Sequence, residues 1–239
     1  MKYMGSKNRI ASHIVPIIQN YINESGRKVY VEPFVGGANV IDKIQCNHKV
    51  GADINKYLIA LFQHIKSGGF LPDMISRETY KAVRTTPEDY KDWFVGCVGF
   101  LSSYNGKFFG GYAGEDKTKA GTIRNYYKEA CKNILKQSFA FENIDFLCLD
   151  YKHLGFSDCV IYCDPPYAGT TSYNTKFNHT DFWNTMRIWS KNNIVIISEE
   201  NAPPDFDCIW QCEVKRTQDN ASRHTATERL FIYNGRHTE

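Results

Sequence analysis

A chain of 239 residues in which 42% are hydrophobic, 14% aromatic and 23% charged can bury a large core, which excludes the disordered, collagen-like and low-complexity classes. The longest apolar stretch, Phe94 to Leu101, is about eight residues where a membrane span needs ~20, and no apolar leader opens the chain; export and membrane anchoring are not expected, and the cytoplasm is the default compartment. A net charge of +3 admits a nucleic-acid partner only if basic residues cluster locally, and eight scattered cysteines fit reduced thiols better than a disulfide framework.

Taken in chain order, Ile10, Ile14, Ile17, Ile18 and Ile22 recur at helical spacing over 8–22, and Lys28 to Val31 then reads as a short strand running into Pro33 and a glycine pair. Val40 to Ile44 is expected to be helical, Lys49 to Asp53 a second strand, and Tyr57 to Ile65 a helix. This alternation predicts a parallel sheet covered by helices. It stops over 68–138, where polar helical stretches surround an apolar, glycine-rich run from Gly96 to Gly114, so that span reads as an insertion. Strands resume at Asp145 to Leu149, Val160 to Cys163 and Ile194 to Ile197, with a helix over Asp181 to Ser190. Cys208 to Lys215 and Leu230 to Tyr233 are expected to form an antiparallel edge hairpin around a polar loop, Asn220 to Thr227. The alternative organisation is two independent domains.

Ligands of open α/β sheets bind beyond the carboxyl ends of the strands, so the residues just past each strand are the candidates for chemistry. After the first strand, Glu32 to Val40 carries the pair Gly36-Gly37, which lets backbone amides approach a ligand, or simply makes a tight turn. After the second, Asp53 stands where an acid can accept ribose hydroxyls or cap a helix. The most specific signal is Asp164-Pro165-Pro166-Tyr167, delivered by a buried-strand pattern. Asp164 and a proline carbonyl can accept from an exocyclic NH2 while Tyr167 stacks on a base.

Together with Lys2-Tyr3-Met4-Gly5-Ser6-Lys7, Asp53-Ile54-Asn55, Ser198-Glu199 and Ala202-Pro203, these segments follow one another as in the Dam-like, D12-class DNA adenine-N6 methyltransferases, which the chain resembles over nearly its whole length. The resemblance implies a Rossmann-like α/β methyltransferase fold: a mostly parallel seven-stranded sheet with a C-terminal antiparallel hairpin. It further implies a catalytic domain over 1–67 and 139–239 that binds S-adenosylmethionine, interrupted by a mainly helical target-recognition domain over 68–138. Tyr3 and Lys7 would contact the methionine part of the cofactor, with Lys7 offering its ammonium to the carboxylate. Phe34, Gly36 and Gly37 would form the loop beneath it, Asp53 would take the ribose, and Asp150-Tyr151 would line the adenine. Asp164, Pro165, Pro166 and Tyr167 would be catalytic, Asp164 lying between cofactor and target base. The implied substrate is duplex DNA with a flipped adenine, in a bacterial cell or phage-infected host, and no metal is required.

Within the insert, Ser102 to Tyr112 mixes aromatics, glycines and cations, and Lys117, Lys119, Arg124 and Lys128 follow it. Asn105, Lys107 and Arg124 are candidate DNA contacts; Arg216, Arg223, His224 and Arg229 add candidates near the last hairpin. Members that read GATC carry an arginine before, and a Phe-Asn-Pro-like segment after, the position of Asn105-Gly106-Lys107-Phe108; here serines precede it and Phe109-Gly110-Gly111 follows, so the resemblance does not extend to the target sequence. Cys159/Cys163 and Cys208/Cys212 are better explained as strand thiols than as zinc ligands, and P-loop, nucleophile-elbow and His-Glu-x-x-His motifs are missing from the sequence. N4-cytosine or RNA methylation on the same fold, and a non-catalytic DNA-binding regulator, stay open as alternatives.

Overall fold

The computed structural model describes residues 1–117, 121–166, 177–219 and 222–235, with side chains omitted over 215–226. Its strands are β1 (Val29–Glu32), β2 (His48–Asp53), β3 (Glu115–Lys117), β4 (Ile123–Asn125), β5 (Ile144–Cys148), β6 (Cys159–Cys163), β7 (Ile194–Glu199), β8 (Phe206–Asp219) and β9 (Ser222–Tyr233). The helices are α1 (Ala11–Ser25), α2 (Lys56–Lys66), α3 (Arg77–Thr85), α4 (Asp92–Gly96), α5 (Tyr126–Gln137) and α6 (His179–Trp189).

Seven strands make one sheet in the order β5-β2-β1-β6-β7-β9-β8. The pairs β2–β5, β1–β2, β1–β6 and β6–β7 are parallel, whereas β9 runs antiparallel to both β7 and β8. The expected Rossmann-like architecture is therefore present, with its C-terminal hairpin. From β1 the chain winds outward through β2 to β5, then returns to place β6 on the other side of β1 and winds outward through β7. This reversal makes the carboxyl ends of β1 and β6 the switch point, where ligands of such sheets bind.

Covered on both faces, the central strands read as apolar runs, and their alternation divides the core in two. Tyr30, Val160, Tyr162 and Ile196 point into the cluster shared with Ile14 and Ile18 of α1 and Leu58, Leu61 and Phe62 of α2. Val31, Ile161, Cys163, Val195 and Ile197 point to the opposite cluster, with Phe182 and Met186 of α6. Ile75, Tyr80, Val83, Val98, Tyr127 and Ile134 from 68–138 belong to the first of these clusters. The interrupting segment thus shares the core of the sheet layer instead of building one of its own.

Two expectations need correction. Val40 to Ile44 is not an α-helix but a single tight turn, Ile41–Lys43, with Ile44 already extended. Val40, Ile41 and Ile44 are all buried, and β-branched residues anchored inward so soon before β2 leave no length for a helix. The glycine pair consequently does not open a helix. The polar stretch expected as a loop over 220–227 contributes 222–227 to β9, where the backbone ladder with β8 runs from Phe206↔Tyr233 to Asp219↔Ser222. A ladder satisfies its amides without an apolar face, so composition alone does not end the hairpin.

Candidate active site

At the carboxyl end of β2, Asp53 is tied down twice. Its Oδ2 accepts from the Gly36 amide at 3.2 Å and its Oδ1 from the Asn55 amide at 2.9 Å. The Val35 amide bonds the Ala52 carbonyl at 2.8 Å, so the glycine loop after β1 hangs on β2 through backbone and side chain together. Burial pushes the Asp53 carboxyl above its ordinary range, against the pull of amides from Asn55, Gly36 and Ile54. Asn55 caps α2, its Oδ1 accepting from Tyr57 and Leu58.

The loop is a shelf on which Tyr3 rests. A Cβ at Gly36 would stand 3.0 Å from Tyr3 Cε1; one at Gly37 would meet Tyr3 Cβ at 2.7 Å and Asn39 Nδ2 at 2.4 Å. Gly36 also has φ +46, a conformation that L side chains avoid. Asn39 Nδ2 donates to the Met1 carbonyl at 3.0 Å and to Ser6 Oγ at 2.8 Å, pinning the first residues to the shelf. From below, Gln137 at the end of α5 donates to the Gly37 and Ala38 carbonyls at 3.1 and 2.8 Å.

The other side of Tyr3 meets the insert. Gly106, at φ +66, approaches so closely that a Cβ there would lie 2.3 Å from the Lys2 carbonyl oxygen, and the Phe100 ring lies 5.7 Å from that of Tyr3. The opening segment is therefore layered between the glycine shelf and the Asn105-Gly106 turn.

Lys7 is 8% exposed, and its ammonium lies 2.7 Å from Glu228 Oε2 and 3.3 Å from Asp164 Oδ1. An ammonium withdrawn from water needs such partners. Asp164 and Pro166 are half-buried and Pro165 is buried. Beneath them Tyr30 donates to Glu32 Oε1 at 2.7 Å, and burial drives the Glu32 carboxyl well above its ordinary range. Glu32 thus closes the end of β1 as the acceptor of the Tyr30 hydroxyl.

Phe34 packs into an aromatic cluster with Tyr151, Phe177 and Phe182 at centroid distances of 5.1, 6.0 and 5.9 Å. Tyr151 is buried there, while Asp150 caps the following turn, Oδ1 accepting from Lys152 N at 3.0 Å. The structure thus gathers Tyr3, Lys7, Phe34, Gly36, Gly37, Asp53, Asp150, Tyr151, Asp164, Pro165 and Pro166 along the carboxyl edge of the sheet; Tyr167 lies outside the described residues. These donors and acceptors suit a nucleoside-bearing amino acid: an acid for a diol, an aromatic wall, a glycine shelf no side chain could fill, and an ammonium beside Asp164.

Of the candidate DNA contacts, Asn105 and Lys107 are exposed on the insert. Arg124 is engaged: its guanidinium forms a two-pronged pair with Glu129 at 2.6 and 2.7 Å and lies 4.8 Å over the Tyr126 ring. The Arg223 side chain is outside the described set. Cys159 and Cys163 lie on the central β6, while Cys208 and Cys212 lie on the edge strand β8, with β7 and β9 between. Among the described residues no group of three or more His, Cys, Asp or Glu is placed to hold a metal, and no helix is long and apolar enough to cross a membrane.

Sequence reasoning missed Glu228, Gln137 and Phe177. Glu228 shares strand parity with the buried Leu230, and an acid on an inward face calls for a partner. Gln137 and Phe177 carry no comparable signal.

The family model for D12 class N6 adenine-specific DNA methyltransferases matches residues 3–98 and 94–194. Among characterised proteins, the chain is 25% identical over 210 residues to the type II methyltransferase M.FokI of Planomicrobium okeanokoites, covering 78% of this chain and 32% of that protein. It is 25% identical over 216 residues to the type II methyltransferase M.MjaIII of Methanocaldococcus jannaschii, covering 76% and 74%. With the DNA adenine methylase of Salmonella typhi it shares 31% over 156 residues, covering 58% of this chain and 55% of that one. The chain thus spans about a third of the first relative's length and about half of the last's.

Proposed function

The chain belongs to the D12 class N6 adenine-specific DNA methyltransferase family, and we propose on that footing that it methylates the exocyclic N6 of a flipped adenine in duplex DNA, using S-adenosylmethionine. The observation that carries this reading is the meeting, at the switch point of the sheet, of Asp164-Pro165-Pro166 with Lys7 and the Asp53-held glycine shelf. When bound, the cofactor supplies an electrophilic methyl group on a sulfonium.

The residues of the chain then have positional work to do. Asp53 accepts from the ribose hydroxyls with a carboxylate already oriented by the Gly36 and Asn55 amides. Tyr3, Phe34, Gly36 and Gly37 shape the floor, and Asp150 and Tyr151 flank the adenine end. The exocyclic amine of adenine is a weak nucleophile because its lone pair is delocalised into the ring. Accepting its N–H bonds at Asp164 and at the Pro165 carbonyl makes that nitrogen more sp3-like and fixes its direction of approach. Lys7 orients the Asp164 carboxylate. Asp164 acts by orientation and electrostatics, since the methylated nitrogen is strongly acidic and loses its proton readily. Tyr167, by stacking on the extruded base, would offset part of the few kcal/mol that flipping costs. Lys107 and Asn105 are the proposed backbone and base contacts, and the segment 68–138 the proposed target-recognition domain.

The test is incubation with methyl-labelled S-adenosylmethionine and unmethylated genomic DNA, digestion to nucleosides and identification of the labelled species. Label in N6-methyladenine is expected. Label in N4-methylcytosine would reassign the target base, and no label would reject the reading.

A further inference from the structure

Ala38 sits in a conformation that its side chain disfavours. Its φ is +54, in the left-handed region, and Gly36 two residues earlier is at +46; a glycine meets that demand freely, whereas an alanine Cβ crowds its own backbone there. Such a residue persists only where its surroundings hold it. On one side the Ala38 amide donates to the Val35 carbonyl at 2.8 Å. On the other, Gln137 Nε2 lies 2.8 Å from the Ala38 carbonyl, 3.1 Å from that of Gly37 and 3.0 Å from Asp42 Oδ2, so its two hydrogens serve three acceptors. Gln137 Oε1 accepts from the Met1 amino group. The Gln137 side chain is buried, as are Gly37 and Ala38. It comes from 100 residues along the chain, on the last turn of α5, where Tyr127, Ala130 and Ile134 anchor the helix in the core.

The shape of the glycine shelf therefore depends on a group that the insert supplies. We infer that Gln137 is a positioning residue for the cofactor: by binding the Gly37 and Ala38 carbonyls it holds the strained shelf in its cofactor-binding shape, so that the insert, and not the sheet alone, completes the cofactor site. Without Gln137 two buried carbonyls lose this donor. The loop then relieves both that loss and the strain at Ala38 by turning the carbonyls toward water, and the surface beneath the cofactor shifts. Asp164 lies on a different strand end and is untouched, so the effect falls on cofactor affinity and not on the transfer step. This rests on the proposed use of S-adenosylmethionine.

The experiment uses Gln137→Met, which keeps the length of the side chain but cannot donate. Calorimetric titration of S-adenosylmethionine without DNA, and initial rates of methyl transfer to unmethylated duplex DNA, are measured well below the unfolding midpoint. The cofactor Kd and KM should rise about tenfold, while kcat at saturating cofactor and the DNA affinity change less than about threefold. The same substitution in an Ala38→Gly background, where the left-handed conformation carries no side-chain cost, should weaken cofactor binding less than about threefold relative to Ala38→Gly itself. If Gln137→Met does not fold, Gln137→Asn, whose amide is one methylene shorter, takes its place in the same comparison. Undiminished cofactor affinity, a fall in kcat with KM unchanged, or an equal loss in both backgrounds would overturn the inference. Wild-type protein that binds no S-adenosylmethionine would instead reject the cofactor reading beneath it.

Discussion

Gly37 is where the N-terminal segment and the glycine shelf are pressed together, and Gly37→Ala measures how tightly. The added Cβ would stand 2.7 Å from Tyr3 Cβ and 2.4 Å from Asn39 Nδ2. Gly37 does not have a positive φ, so the substitution introduces crowding without backbone strain. Asn39 must swing away, giving up its bonds to the Met1 carbonyl and Ser6 Oγ, and Tyr3 must shift off the shelf. Two lost hydrogen bonds plus overpacking come to about 2–4 kcal/mol, or a melting temperature lower by roughly 5–15 °C for a chain of this size. Cofactor affinity should fall at least tenfold, because Tyr3 and the shelf form one surface. Gly26→Ala is the control: that glycine ends α1 at φ +67 with nothing within 4 Å, so only about 1 kcal/mol of backbone strain is expected, with cofactor binding unchanged. Thermal unfolding and calorimetry read both variants. A Gly37→Ala protein as stable as wild type, with undiminished cofactor affinity, would refute the packing of Tyr3 on this loop.

The remaining expectations concern charge. Because the Asp53 carboxyl titrates above 3.8, cofactor affinity should weaken as pH falls through that raised value, whereas Asp53→Asn should bind weakly at every pH; titrations at several pH values would expose a flat wild-type profile. The proton on Glu32 is held more tightly in the folded than in the unfolded chain, so its stabilising effect is full below 4.5 and is lost as pH rises toward the raised folded value. Glu32→Gln keeps the acceptor for Tyr30, so its stability relative to wild type should increase between pH 5 and pH 8 in urea unfolding; a constant difference would contradict the upward shift. On the insert, Lys107→Ala should weaken DNA binding and lower the salt slope by about one, whereas Arg124→Ala, already paired with Glu129, should change affinity less than threefold in an anisotropy titration.

The sheet was legible because its strands are apolar on both faces, and the three acid-bearing or glycine-bearing strand ends were legible because each directly follows such an apolar run. Asp53, Gly36, Gly37 and Asp164 fall where their sequence spacing placed them. Sequence reasoning went wrong at Val40 to Ile44, where a run of buried β-branched residues imitates a helix while making a turn. It also missed that β8 and β9 continue through a polar stretch, since ladder hydrogen bonds leave no compositional trace. Arg124 was readable as a cation but not as one neutralised five residues along the chain by Glu129. The partnership of Lys7 with Glu228 joins residues 221 positions apart, and only the closing of β9 onto β7 reveals it.

Single-turnover transfer from methyl-labelled S-adenosylmethionine to unmethylated duplex DNA, with wild type beside Asp164→Asn and cofactor binding measured on both, bears most directly on the assignment of Asp164. Wild type should place the label on adenine N6, and Asp164→Asn should bind cofactor yet transfer at least about 100-fold more slowly, as expected when a preorganised electrostatic group is removed. Transfer by Asp164→Asn within a few-fold of wild type would contradict it.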